Sequence, residues 1–162
     1  MSVGLRIRQA VPADRDVIFA FIRELAAYEK LADQVKATPT DIERALFAAS
    51  PRVFCDIAEW DGVPAGFALW FYNFSTFRGR HGIFLEDLFV RPVFRGKGLG
   101  KALLAHLAAR AVAEDCSRVD WSVLDWNAPS IAFYKSLGAE AQDAWTGYRL
   151  TGEALERLAR SK

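Results

Sequence analysis

The stretch Ile83-Phe-Leu-Glu-Asp-Leu-Phe-Val-Arg-Pro-Val-Phe-Arg-Gly-Lys-Gly-Leu-Gly-Lys-Ala-Leu-Leu-Ala105 constrains this chain more than any other. From Ile83 to Val90 it is aromatic and branched apolar, broken only by Glu86 and Asp87, which is the composition of a buried strand. Pro92 has no N–H to offer a ladder and ends that strand. The turn Arg95-Gly96-Lys97-Gly98-Leu99-Gly100 follows. Beyond it Leu99, Leu103 and Leu107 recur on one helical face, with Leu104, Ala108 and Ala111 beside them. A strand that enters a helix through glycines leaves the first helical N–H groups unpaired and pointing at whatever docks there. The glycines allow close approach, the helix dipole favours negative charge, and Arg95, Lys97 and Lys101 add positive potential. The stretch suits a phosphate or pyrophosphate. It also reads as an ordinary strand-to-helix turn with surface basic residues.

Two nucleotide motifs fail on it. A Walker A loop needs Gly at position 95 and Ser or Thr at position 102, where this chain has Arg95 and Ala102. A dinucleotide fingerprint begun at Gly96 needs glycine at position 101, occupied by Lys101, and no βαβ unit surrounds it. The pattern Arg-x-x-Gly-x-Gly, Arg95 to Gly100, resembles instead the acetyl-coenzyme A loop of the GNAT family of N-acetyltransferases. A second segment, Asn127-Ala-Pro-Ser130-Ile-Ala-Phe133-Tyr134-Lys-Ser-Leu-Gly138, is similar to that family's later motif, Asn-x-x-Ser-x-x-Phe-Tyr-x-x-x-Gly. Within the family, Leu85-Glu-Asp-Leu-Phe-Val90 and Asp125-Trp126-Asn127 most resemble the diamine and thialysine (spermidine/spermine-type) acetyltransferase branch. The likeness is strongest from Leu85 to Gly138.

At 162 residues with 52% hydrophobic residues, the chain is expected to form one domain, residues 1–162, with a full core and no need of metal or disulfides. A net charge of +1 argues against nucleic acid as a partner, since the basic residues gather locally at Arg91, Arg95, Lys97 and Lys101. No apolar run of ~18 residues and no signal-peptide core is found, so a soluble, cytoplasmic protein without membrane attachment is expected. Cys55 and Cys116 read as buried free thiols rather than a bridge. No Cys/His cluster has ligand spacing, so no metal is expected. His106 is placed on the exposed side of its helix, which leaves Ser-His-Asp or Cys-His catalysis unsupported.

In chain order, Leu5 and Ile7 alternate as a first strand. Pro12 opens a helix with Asp14 and Asp16 in its first turn, and Ile18, Phe21, Ile22, Leu25 and Tyr28 make its apolar stripe. Glu29 to Lys36 is either a solvated loop or the rim of a substrate site. Thr38 caps a second helix with Ile42, Ala45 and Leu46 inward. Two strands flank the hairpin signal Asp61-Gly62. The loop from Asn73 to Gly82, with Phe74, Phe77, Arg78, Arg80 and His81, covers a ligand, makes an oligomer contact, or is a plain exposed loop. After the central strand, loop and helix comes a strand from Val119 to Leu124. Asn127 caps the next helix and Gly138 ends it. Strands near 139–142 and 145–150 and a terminal amphipathic helix through Leu155 and Leu158 complete the chain. The predicted order is β-α-α-β-β-β-α-β-α-β-β-α. It gives an α/β (α+β) fold with a mixed, mostly antiparallel sheet of about six or seven strands, as the family resemblance also implies.

The resemblance further implies acetyl-CoA as cosubstrate and direct attack by an amine, without an acyl-enzyme. It assigns Leu88 and Val90, with Phe89 between them, to the pantetheine and Gly96 to Lys101 to the pyrophosphate. Arg95, Asn127 and Ser130 are placed with the cosubstrate too. Tyr134 is the candidate acid for the departing thiolate. A phenol of pKa ~10 facing a thiolate of pKa ~8.5 makes full transfer uphill by about 2 kcal/mol, so hydrogen bonding counts as much as transfer. On residue type alone Tyr134 is equally a core tyrosine beside Phe133.

Glu86 and Asp87 are strand neighbours and point to opposite faces, so one can pair with an arginine of the sheet while the other faces the amine. The resemblance favours Glu86, through water, as base and substrate ligand, with Tyr28, Glu29 and Asp87 on the substrate side. One departure stands out. Relatives that acetylate polyamines carry a glutamate before the final Gly-aromatic-Arg, where this chain has Thr146 before Gly147-Tyr148-Arg149. That removes a negative charge from the place of a second ammonium. The expected activity is acetyl transfer to a small-molecule primary amine (diamine, polyamine or lysine-like amino acid), by a homodimer. An idle acyl-CoA-binding module, and acetylation of a protein N-terminus or lysine, are the alternatives.

Overall fold

A computed structural model of the protein describes residues 4–161. It contains β1 (Leu5–Gln9), α1 (Arg15–Tyr28), α2 (Pro39–Leu46), β2 (Phe54–Trp60), β3 (Val63–Ser75), β4 (Arg80–Val90), α3 (Leu99–Ala113), β5 (Val119–Trp121), α4 (Ala128–Ser136) and α5 (Gly152–Arg160). The strands form one sheet in the order β1-β2-β3-β4-β5, antiparallel except for the parallel pair β4–β5. This is the mixed, mostly antiparallel sheet that was expected, with five strands rather than six or seven. Residues 139–150 form no strand. Their alternation marks a two-faced segment, but a strand needs a neighbouring backbone to complete its ladder, and these residues pair with none among the described residues.

Residues 4–124 and 125–161 fall into two compact units. In the first, alternation along β2 divides the core. Cys55 and Ile57 join Ile18 and Phe21 of α1, Leu46 of α2, and Phe67, Leu69 and Phe89 of the sheet. Phe21 is wholly buried, 5.3 Å from the Phe67 ring and 6.4 Å from that of Phe89. Burying such a ring contributes roughly 1.5–3 kcal/mol. Asp56, between Cys55 and Ile57, points the other way, toward α3, whose Leu99, Leu103, Leu104, Leu107 and Ala111 are buried while Ala108 is exposed.

The turns follow their residues. Asp61 and Gly62 carry φ of 53° and 80°, the two left-handed positions of the β2–β3 hairpin. The β3–β4 hairpin runs further than expected, since β3 continues to Ser75 and β4 starts at Arg80. Thr38 caps α2, its hydroxyl accepting from the Asp41 N–H at 3.3 Å while Asp41 accepts from the Thr38 N–H at 2.8 Å. At the first helix the outcome differs. Pro12–Asp14 is a separate 3-10 turn, and buried Asp14 accepts two bonds from Arg8 (2.7 and 2.9 Å) and one from the Val11 N–H (2.8 Å). Those bonds, Arg8 foremost, hold its carboxyl below the usual range. The acid locks β1 to the turn instead of answering the α1 dipole.

Candidate active site

The site begins where β5 stops. β5 pairs with β4 only at Ile83, Phe84 and Leu85, opposite Val119, Asp120 and Trp121. From Glu86 to Val90, β4 has no strand on that side among the described residues. The register shows which groups the opening receives. The Arg91 N–H donates to the Ala65 carbonyl at 2.9 Å, so Val90 and Gly66 form a non-hydrogen-bonded pair. Leu88 and Ala68, two residues back, are a pair of the same kind. The N–H and C=O of Leu88 and Val90 therefore turn away from β3 into the opening. Phe89 is turned the other way, its backbone facing Phe67 and its ring buried in the core.

Glu86 is a bulge residue, since Leu69 opposes Asp87 and Trp70 opposes Leu85. The extra residue sits where β4 loses its β5 neighbour, and it is exposed. Asp87 is half-buried on the α1 face, next to the core position of Leu69. The expected arginine partner is absent: neither carboxylate makes an ion pair or hydrogen bond to a described residue. Arg91, the residue after β4, is instead engaged bidentately with Glu24 at 2.9 and 3.0 Å. Burial, then the charges of Glu86 and Glu29, raise the Asp87 carboxyl from 3.8 to about 6. Burial raises that of Glu29 as well. Glu29 follows the last residue of α1, Tyr28, so both it and Glu86, the strand neighbour of Asp87, lie close enough to disfavour the charged form of Asp87. A cation is the natural ligand of these carboxylates.

After β4 the 3-10 turn Pro92–Phe94 leads into the glycine loop. Gly96 and Gly98 have φ of 77° and 84°, and a Cβ built on either would meet nothing within 4 Å. Gly98 is the N-cap of α3 and supplies no side chain to satisfy the first N–H groups. The loop is thus open, left-handed and donor-rich, which is a cradle that fits a pyrophosphate. Its basic side chains are less available than their sequence suggests. Lys97 lies over the Trp60 ring at 4.8 Å, and Arg95 lies over Tyr28 and Phe89.

In the unit of residues 125–161, the Asn127 side chain caps α4 by accepting from the Ser130 N–H at 3.4 Å. Tyr134 and Ser130 are half-buried on that helix, and the Tyr134 ring is 5.5 Å from Phe133. Thr146 is exposed in the stretch without strand structure.

His106 departs from its expected place. It is half-buried, with Nε2 3.4 Å from a carboxylate oxygen of Asp56, because α3 lies closer over β2 at that turn than periodicity reveals. Asp56 also accepts from the Trp70 Nε1–H at 2.8 Å. A cavity of about 110 Å³ beside them is lined by Phe54, Trp70 and Tyr72. The Arg110 guanidinium, 5.1 Å from the Trp70 ring, already fills the role of a cation there. Cys55 is buried, which pushes its thiol up and keeps it from acting as a nucleophile.

Residues 19–139 match the acetyltransferase (GNAT) family. The chain is 37% identical to the thialysine N-epsilon-acetyltransferase of Bos taurus, over 94% of this chain and 96% of the relative. It is 31% identical to an L-ornithine N5-acetyltransferase of Arabidopsis thaliana, over 94% and 87%. Among solved structures, an integron cassette protein from the mobile metagenome of V. cholerae is similar with a TM-score of 0.81 and 29% identity, over 98% and 99% of the two chains.

Proposed function

This chain belongs to the acetyltransferase (GNAT) family, and we propose that it transfers the acetyl group of acetyl-CoA directly to the primary amine of a small molecule. The acceptor is a diamine, a polyamine or a lysine-like amino acid. The relatives named for thialysine and L-ornithine support an amine on a short aliphatic chain. The observation that carries the reading is the uncovered edge of β4, which presents the amides of Leu88 and Val90 and runs into the glycine-opened start of α3.

Acetyl-CoA supplies an activated acetyl thioester. Leu88 and Val90 hold its amide-bearing arm by backbone hydrogen bonds, and the backbone of Gly96 to Lys101 holds its pyrophosphate. Glu29 and Asp87 with Tyr28 hold the acceptor as an ammonium, which relieves the mutual repulsion of the carboxylates. An ammonium of pKa ~10 is deprotonated in only about one molecule in a thousand at pH 7, so a base is required. Glu86, exposed and without a partner among the described residues, accepts that proton through water. As nitrogen bonds to the carbonyl carbon and the C–S bond breaks, Tyr134 donates a hydrogen bond or its proton to the departing sulfur. Two protons leave the ammonium nitrogen, one through water to Glu86 before attack and one as the amide forms. One proton reaches the sulfur and the other is released to solvent, so the products are an amide, a free thiol and a proton.

Residues 1–162 act in this reading as one catalytic domain, consistent with a family match that runs from the first unit into the second. The protein works as a cytoplasmic homodimer. The exposure of Trp145 (80%) and Tyr148 (96%) gives a second copy apolar surface to cover, and two free cysteines suit a reducing compartment. The test is a panel of primary amines with acetyl-CoA, followed by release of free thiol. Short diamines and lysine-like amino acids should release thiol. Release only with a peptide N-terminus, or with no amine at all, would refute the proposal.

A further inference from the structure

The two arginines that bracket the turn after β4 both reach back to the end of α1. Arg91 grips Glu24 and lies over the Phe21 ring at 4.7 Å. Arg95, four residues on, lies over the ring of Tyr28, four residues beyond Glu24, with its guanidinium carbon 5.1 Å from the ring centre. The same Arg95 side chain is 5.7 Å from the Phe89 ring and donates from Nε to the Val90 carbonyl at 3.0 Å. Spacings of four on the helix and across the turn thus bring two cations onto one face of α1.

The Val90 carbonyl is one of the groups turned into the opening along β4, whereas Tyr28 immediately precedes Glu29. Arg95 is therefore tied at one end to the edge assigned to the cosubstrate and at the other to the last turn of α1. A cation held over an aromatic ring and bonded to a carbonyl is already compensated, so it adds little to a phosphate held by backbone N–H groups.

We propose that Arg95 is a positioning residue for the acceptor amine, and not a side-chain ligand of the cosubstrate phosphates: it fixes Tyr28 and Glu29 relative to the end of β4. The inference rests on the acetyltransferase reading for its kinetic consequences, but the clamp itself can be tested without turnover.

The experiment compares Arg95→Met and Arg95→Lys with the unaltered full chain. Acetyl-CoA binding is measured by calorimetry, and steady-state kinetics use acetyl-CoA with thialysine and 1,4-diaminobutane. In Arg95→Met the acetyl-CoA Kd should stay within threefold while the amine KM rises about tenfold and kcat changes less. Arg95→Lys should recover part of the KM, since an ammonium can still sit over the Tyr28 ring. An acetyl-CoA Kd raised tenfold or more, with or without a change in KM, assigns the guanidinium to the phosphates and overturns the proposal.

A double-mutant cycle on unliganded protein, Arg95→Met with Tyr28→Leu, completes the test. The melting temperature of the double variant should fall no further than that of the more affected single variant, and additive losses would overturn the clamp. Failure of every amine to turn over would count against the acetyltransferase reading, while the cycle would still decide the role of Arg95.

Discussion

Replacing Asp87 with Asn should make the protein more stable at neutral pH, and the pH dependence of the gain identifies the cause. Asp87 is half-buried, lacks a partner among the described residues and lies near Glu86 and Glu29, so its carboxyl is raised from 3.8 to about 6. A carboxyl whose pKa is higher in the folded state binds its proton more tightly there. Its contribution to folding is therefore best below pH 4, worsens as pH climbs from about 4 to about 6, and is level above that. Two pKa units correspond to about 3 kcal/mol, the upper limit of what Asp87 costs at pH 8, and about half of it is already present at pH 5. Asn keeps the shape and removes the charge. In a chain of 162 residues the melting temperature should rise by up to about 9 °C at pH 8 and by roughly half as much at pH 5. Differential scanning fluorimetry or urea unfolding at the two pH values measures this. The amine KM should meanwhile rise, because an anion of the acceptor site has gone. An Asn variant that is less stable at pH 8, or that gains equally at both pH values, would refute the account of Asp87 as an uncompensated charge.

The remaining predictions concern the cosubstrate, the acid and the acceptor. Gly98→Asp should cost about 1–2 kcal/mol of stability, because φ is 84° and a Cβ meets nothing, yet it should abolish the thermal shift given by acetyl-CoA. That shift is worth ~2.7 kcal/mol at about 100 times Kd, and it should not be reproduced by ATP or NAD. Tyr134→Phe should lower kcat by roughly 10²-fold with acetyl-CoA affinity nearly unchanged by calorimetry, and an unaltered kcat would reduce the tyrosine to packing. Spermidine should be a poorer substrate than a short diamine. Thr146→Glu should improve its kcat/KM through KM, because the added charge acts in the ground state away from the reacting centre.

How much of this was legible before folding follows from the range of each interaction. Strand, turn and helix at residues 83–105 were readable because burial pattern, Pro92 and the glycines act locally. The same holds for the Asp61-Gly62 hairpin and the caps at Thr38 and Asn127, where each signal and its partner lie within a few residues. The motifs Arg95 to Gly100 and Asn127 to Gly138 were enough to point to the family. The two strands expected after Ala139 were not formed, because alternation specifies a face and cannot supply the neighbour that a ladder needs.

Local residue patterns set the helices, the central strands, the glycine turn and the residue types of the candidate site. Tertiary structure decided which charges meet. Asp14 went to Arg8, Glu24 to Arg91 and His106 to Asp56, while Asp87 was left without a partner among the described residues and Arg95 was laid over Tyr28. Long side chains on separate elements choose partners only after the sheet register and helix faces are set. Their pairing energies are small beside the burial that sets them, and no local pattern encodes the choice.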